Sequence, residues 1–166
     1  GGPCTILVQG GGEEEREIPV RKRTFFKGLV QVYTGNGKGK TTAALGLALR
    51  AVGHRYKVLV IQFLKGGSAY VEVRSAKKLA PYLTLVPMGR EHFVNKKDPH
   101  PTDLRWAQKG WELAKRSVHS QKYQIVILYE INVAVEYGMV PLPELLALME
   151  NKPKNVELVL TGRWVK

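Results

Sequence analysis

Residues 34 to 42 read TGNGKGKTT, and each residue type in the stretch suits the binding of a phosphate. Gly35, Gly37 and Gly39 can adopt backbone angles closed to other residues and so turn N–H groups toward anionic oxygens. Asn36 and Lys38 stand between them, Lys40 adds an ammonium, and Thr41 and Thr42 supply hydroxyls of the kind that ligate Mg²⁺. The pattern G-x-x-x-x-G-K-[ST] asks for glycine where Thr34 stands, so the strict form fails by one residue. The flanks supply the context. LVQVY before the loop is apolar and β-branched, and TTAALGLALRAV after it is rich in alanine and leucine. Strand, glycine loop and helix N-terminus thus come in the order that phosphate binding needs, and the helix dipole favours an anion there. A plain turn between a strand and a helix has no need of so many glycines, lysines and threonines together.

Three charged residues invite a place beside this loop. Glu130 follows the apolar run IVILY, where a phosphate-loop protein puts the carboxylate that holds Mg²⁺ and its waters; a surface charge or a helix cap is the alternative. Lys65 in QFLKG and Arg163 in LTGR could clamp phosphate oxygens, or stand solvated at loop starts. What would bring them together is a parallel sheet. LVQVY, KVLVIQF, LTLVP, QIVIL and VELVLT are short apolar runs alternating with helical patterns, which predicts an α/β fold. Ligands of such sheets bind outside the carboxyl ends of the strands, so residues 34–42, 62–66, 87–93, 129–132 and 161–163 are expected around one crevice.

Leu104, Ala107, Trp111, Ala114 and Val118 step by three and four along one face of a helix, expected to open at Thr102-Asp103 after Pro99 and Pro101. Trp106 lies off that stripe and is read as exposed. A second helix begins near PLPELLALM and stops before Pro153. Residues 1–27, with a glycine triplet, an acidic cluster and a basic one, read as an N-terminal extension with a short extended piece at TILVQ; residues 28–166 are expected to form the domain.

A chain of 166 residues with 44% hydrophobic content fits one globular domain. It shows neither an apolar run of spanning length nor a basic-then-apolar leader, so a cytoplasmic protein is expected. Cys4 is the only cysteine, which excludes an internal disulfide framework. His54, His92, His100 and His119 lack metal-ligand spacing and read as surface or hydrogen-bonded histidines. The net charge of +12 calls for an anionic partner, but the basic residues are scattered apart from RKR at 21–23 and KK at 77–78 and 96–97, which argues against nucleic acid.

Taken together, TGNGKGKTTAALGLALRAVGH, VLVIQFLKG, GREHFV, VILYEINVA and LTGR, in that order, resemble the ATP:corrinoid adenosyltransferases that act on cob(I)alamin or cob(I)yrinic acid a,c-diamide. The threonine-led loop is that family's own form. The resemblance implies a P-loop, RecA-like three-layer fold with a mainly parallel sheet of about five or six strands. It implies transfer of the 5′-deoxyadenosyl group of ATP to cobalt(I), with triphosphate as the leaving group. Gly35 through Thr41 then bind triphosphate, with Thr42, Lys65 and Arg163 beside them. Thr41 and Glu130 contact Mg²⁺ and, with Lys40, form the catalytic set. Phe93 belongs to the corrinoid face, its alternative place being the core. A homodimer and a reduced flavoprotein electron donor are implied as well, and an acidic donor would suit the positive charge.

The chain departs from the family pattern at three places. Tyr129 precedes Glu130 where aspartate is usual, Asn95 stands where some members carry a second aromatic residue, and the sequence given stops at Lys166, before the usual last segment. A neutral phenol is a poor Mg²⁺ ligand, so impaired activity is expected from Tyr129. Two other classes compete: a nucleotide- or corrinoid-binding relative without turnover, and a RecA-like ATPase acting on nucleic acid. The second has no evident water-activating residue or base-reading face.

Overall fold

The computed structural model describes residues 27–66 and 70–163. Cys4, TILVQ and RKR lie outside the described residues. Five strands, β1 (Val30–Tyr33), β2 (Val58–Phe63), β3 (Leu83–Met88), β4 (Ile125–Tyr129) and β5 (Glu157–Thr161), form one sheet in the order β1-β5-β4-β2-β3, and every pair is parallel. All five fall on the apolar runs. In β2, β4 and β5 every residue is buried. Strands covered on both faces have no solvent side, so they read as unbroken apolar runs rather than as alternation.

Helices cover both faces and make three layers. On one side α1 (Lys40–Gly53) and α2 (Tyr70–Lys78) pack on Val58, Val60, Ile125, Ile127 and Val159. The contact of α1 is made of small residues: Ala44, Ala48 and Ala51 are all buried, which lets the helix axis lie close to the sheet. On the other side α3 (Pro101–Ser120), α4 (Ile131–Glu136) and α5 (Leu142–Asn151) cover Leu59, Ile61, Phe63, Val126, Leu128, Leu158 and Leu160. The α3 face is Asp103, Ala107, Gly110, Trp111, Ala114, Ser117 and Val118. A Cβ at Gly110 would meet Phe63 Cε1 at 3.0 Å and Met88 Cβ at 3.1 Å, so this glycine sets how near α3 lies to the sheet. The Trp111 indole N–H donates to Glu144 Oε2 of α5 at 2.6 Å, joining the two helices.

Three expectations need correction. The helix after Pro99 opens at Pro101 rather than at Thr102-Asp103, and its cap is His100, whose Nδ1 accepts from the Thr102 N–H at 3.1 Å. Proline suits the first helical position because its missing N–H would have no partner there. Trp106 is half-buried rather than exposed, with Lys109 Nζ 5.2 Å from its ring centre. Leu104 is only half-buried, and Asp103 takes the deep position beside it.

The alanine seam of α1 sets the height of the phosphate loop above the sheet, and it has no room to spare. Ala48→Leu should lower the denaturant midpoint by the equivalent of about 1–3 kcal/mol, the range for overpacking a close-packed core. Equilibrium urea unfolding checks this; an unchanged midpoint would mean that α1 can lift without cost.

Candidate functional site

Because all five strands run the same way, their carboxyl ends lie along one edge, and the five expected loops gather there. Residues 34–39 link β1 to α1. Gly35 and Gly39 both have φ of +114°, a region costly to any residue with a Cβ, whereas Thr34 is not among the residues with positive φ. That is why threonine can stand in the place of the first glycine. Its hydroxyl donates to the Arg163 carbonyl at 3.2 Å, and the Gly35 N–H reaches the same oxygen at 3.4 Å. The phosphate loop is thereby tied to the loop after β5. Asn36 and Lys38 are exposed on it, and Lys40 folds back so that Nζ donates to the carbonyls of Gly35 (2.5 Å) and Gly37 (2.6 Å). Thr41, in the first turn of α1, donates from Oγ1 to the Tyr129 hydroxyl at 2.9 Å; Thr42 beside it is exposed.

Glu130 sits at the N-cap of α4 with φ of +63° and makes no side-chain cap bond; its N–H donates to Thr161 Oγ1 at 3.1 Å. A left-handed glutamate costs on the order of 1 kcal/mol or more, and it leaves the carboxylate unused by the helix it opens. Burial pushes the Glu130 carboxyl above its ordinary value, opposed by the positive charges of Lys65, Arg163 and Lys40. Lys65 Nζ also lies 5.0 Å from the ring centre of Tyr129. Leu64, just before it, is left-handed too. Lys65, Glu130 and Arg163, together with the apolar surfaces of Phe93, Val94, Val133, Tyr129 and Tyr137, line a cavity of about 450 Å³. Two buried polar atoms near the strand ends, Gln62 Oε1 and Asn132 Nδ2, have no hydrogen-bond partner.

Phe93 is fully exposed, so it does not belong to the core. The loop that presents it is fixed on both sides. Arg90 makes a bidentate pair with buried Asp103 (Nε to Oδ1 2.6 Å, a terminal nitrogen to Oδ2 2.8 Å), and Lys96 pairs with Glu136 of α4 at 2.8 Å. Gly66 and Gly89 press the neighbouring loops together, since a Cβ on Gly66 would lie 2.5 Å from the Arg90 carbonyl. Asn95 serves the turn itself, accepting from the Lys97 N–H at 3.0 Å. Arg90, Asp103 and the hydroxyl contact of Tyr129 were not singled out by sequence; Asp103 had been given the start of a helix.

For a divalent cation the crevice offers the Thr41 hydroxyl and the Glu130 carboxylate. Among the described residues no three His, Cys, Asp or Glu side chains cluster as a metal site, and no helix is long and apolar enough to cross a membrane. A single carboxylate and a hydroxyl fit Mg²⁺ carried largely by phosphate oxygens and water, the way this ion is bound with nucleotides.

The sequence profile described as ATP:corrinoid adenosyltransferase BtuR/CobO/CobP matches residues 26–166. The chain belongs to this adenosyltransferase family. Corrinoid adenosyltransferases of Sinorhizobium sp. and Escherichia coli K12 are each 35% identical to it, over 91% of this chain and 71% and 76% of their own lengths. An uncharacterized protein of Nostoc sp. is 36% identical over 81% of this chain, which spans only 38% of that relative. A KaiC-like protein of Pyrococcus horikoshii shares the fold with a TM-score of 0.51 at 14% identity, over 82% of this chain and 63% of that one. The RecA-like P-loop architecture expected of an adenosyltransferase of this family is therefore the observed one.

Two titrations follow from the geometry. The guanidinium of Arg90 holds the Asp103 carboxyl below its ordinary 3.8, so the stability it contributes is present above that pH and lost as pH falls through the lowered value. Asp103→Asn should flatten the acid limb of the stability profile, measured by thermal melts from pH 7 downward; an unaltered limb would count against the pair. Glu130 has the opposite sign. Its raised carboxyl favours folding below the ordinary 4.5 and loses that contribution as pH rises, so Glu130→Gln should raise Tm at pH 7 and lose its advantage below pH 4.5. A lowered Tm at pH 7 would contradict the burial argument.

Proposed function

We propose that this family member transfers the 5′-deoxyadenosyl group of ATP to the cobalt(I) of a reduced corrinoid and releases inorganic triphosphate. The observation that carries the reading is the meeting of two unlike surfaces in one crevice. A phosphate loop with left-handed glycines adjoins a cavity of about 450 Å³ whose apolar wall includes an exposed phenylalanine and whose charged side chains are Lys65, Glu130 and Arg163. The polyanionic half of ATP suits the first surface and a flat macrocycle the second.

In the reaction the cobalt(I) electron pair attacks the ribose C5′, a cobalt–carbon bond forms, and the C5′–O bond breaks with its pair leaving on triphosphate. This chain has only to place the two substrates in line and accept the charge of the leaving group. The N–H groups of Gly35, Asn36, Gly37, Lys38 and Gly39 surround the phosphates at the N-terminus of α1. Lys40 exchanges its two carbonyl partners for phosphate oxygens, and Lys65 and Arg163 add positive charge from the adjoining cavity, with Thr42 as a further hydroxyl. Thr41 and Glu130 would hold Mg²⁺, which when bound would supply charge neutralisation for the triphosphate. Phe93 meets the corrin face, where an apolar ring can displace a polar axial ligand of cobalt. Glu130 is the only carboxylate lining the cavity among the described residues, and the positive charges of Lys65, Arg163 and Lys40 favour its ionised form against the effect of burial.

The reading extends to a homodimer, a reduced flavoprotein as the source of electrons and a cytoplasmic setting. The +12 charge supports an acidic electron donor by steering.

Reduced corrinoid and ATP should give a light-sensitive cobalt–carbon product with triphosphate in equal amount. Steady orthophosphate release without corrinoid, stimulated by DNA or RNA, would sink the proposal. Lys40→Ala should weaken MgATP binding by about 1.5–3 kcal/mol, the range for hydrogen bonds to a charged group, as read by titration calorimetry. Equal affinity would reduce the loop to a turn.

A further inference from the structure

Tyr129 is one of the departures from the family pattern that the resemblance implies, and its surroundings give it work of its own. It ends β4, is 6% exposed, and packs on the α1 side of the sheet with Ala44 and Ile127. Its hydroxyl lies 2.9 Å from Thr41 Oγ1 and its ring carries Lys65 Nζ at 5.0 Å. With Thr41 as donor, the threonine lone pairs remain free for a cation while the rotamer of its hydroxyl is held. A strand-end carboxylate would accept the same hydrogen bond and add a negative charge; the phenol does only the first.

We propose that Tyr129 is a positioning residue that presents the Thr41 hydroxyl to a divalent cation without adding charge, so that the crevice retains the cation only together with its nucleotide. The inference rests on the nucleotide-binding role proposed above. Electrostatics supports it. Lys40, Lys65 and Arg163 all act on the single carboxylate of Glu130, so a bare dication entering the crevice meets more positive than negative charge. A triphosphate reverses that balance and brings most of the oxygen ligands itself. Metal and nucleotide then arrive as one complex, to a hydroxyl already turned toward it. The buried phenol cannot swing aside to let a water take its place without opening the packing of α1, which keeps Thr41 oriented in the absence of any ligand.

The test is an electron paramagnetic resonance titration of Mn²⁺ against the native chain, Tyr129→Phe and Tyr129→Asp, each with and without ATP, alongside ATP binding in EDTA. Native protein should leave free Mn²⁺ unchanged and bind it once ATP is added. Tyr129→Phe keeps the ring and loses the hydroxyl; it should weaken Mn²⁺–ATP binding by about five- to tenfold, the effect of one hydrogen bond, while metal-free ATP binding in EDTA stays as in the native chain. Tyr129→Asp should take up Mn²⁺ without nucleotide. Nucleotide-independent Mn²⁺ binding by the native chain, or a Tyr129→Phe variant that matches it in Mn²⁺–ATP affinity, would overturn the inference alone. Failure of the native chain to bind ATP under any condition would overturn both it and the function it rests on. Should Tyr129→Asp not fold, the Tyr129→Phe comparison still decides.

Discussion

The parallel hydrogen-bond ladder is the constraint on which everything else hangs. Pairing in one direction forces each chain crossing back over a face of the sheet, which places a helix there and delivers every strand exit to the same edge. From Val30 paired with Leu158 to Phe63 paired with Met88, the register leaves no strand long enough to push its loop away from the others. The crevice is thus a product of topology before any polar residue is chosen. The chemistry then depends on which side chains occupy the first positions beyond the ladder.

Part of the molecule's strain lies at or beside those first positions, although Arg55 and Gln121 at the opposite edge are left-handed as well. Gly35 and Gly39 are left-handed, as are Leu64 and Glu130, and Gln62 and Asn132 bury a polar atom without a partner. The left-handed Leu64 and Glu130 and the two unpartnered polar atoms are locally unfavourable and are kept in place by the close-packed strands behind them. The two core clusters supply that support from opposite faces. Phe63 and Leu160 hold the site from the α3 side, and Tyr129 and Ala44 from the α1 side. A rigid interior with strained exits is what a site needs in order to keep charged groups pointed at a ligand rather than at one another.

Strands, phosphate loop and long helices could be read from residue order because burial on two faces and helical spacing both leave regular traces. Other features left none. The six residues of α4, INVAVE, are mostly β-branched or apolar and look like strand, yet they form a helix that opens after the left-handed Glu130. The stretch YVEVRSAKK of α2 mixes the two patterns in nine residues. Arg90 and Asp103 stand 13 positions apart, so nothing in their spacing announces a bidentate pair. Tyr129 was visible as an anomaly, but its use depended on a hydroxyl 88 positions away in the chain. Thr34 was the converse case: a missing glycine in the pattern is no defect where the backbone angle does not require one.

The resting contacts of Lys40 bear on what the loop will let in. Its ammonium already has two oxygen partners, the carbonyls of Gly35 and Gly37, so a newcomer must offer more than the loop offers itself. A neutral acceptor would replace like with like and gain nothing. An anion exchanges dipoles for formal charge, and each further charge widens the advantage. In the nucleotide-binding reading proposed above, the resting lysine would thus favour an anionic ligand over a neutral one, since only the former would more than replace the carbonyls it gives up.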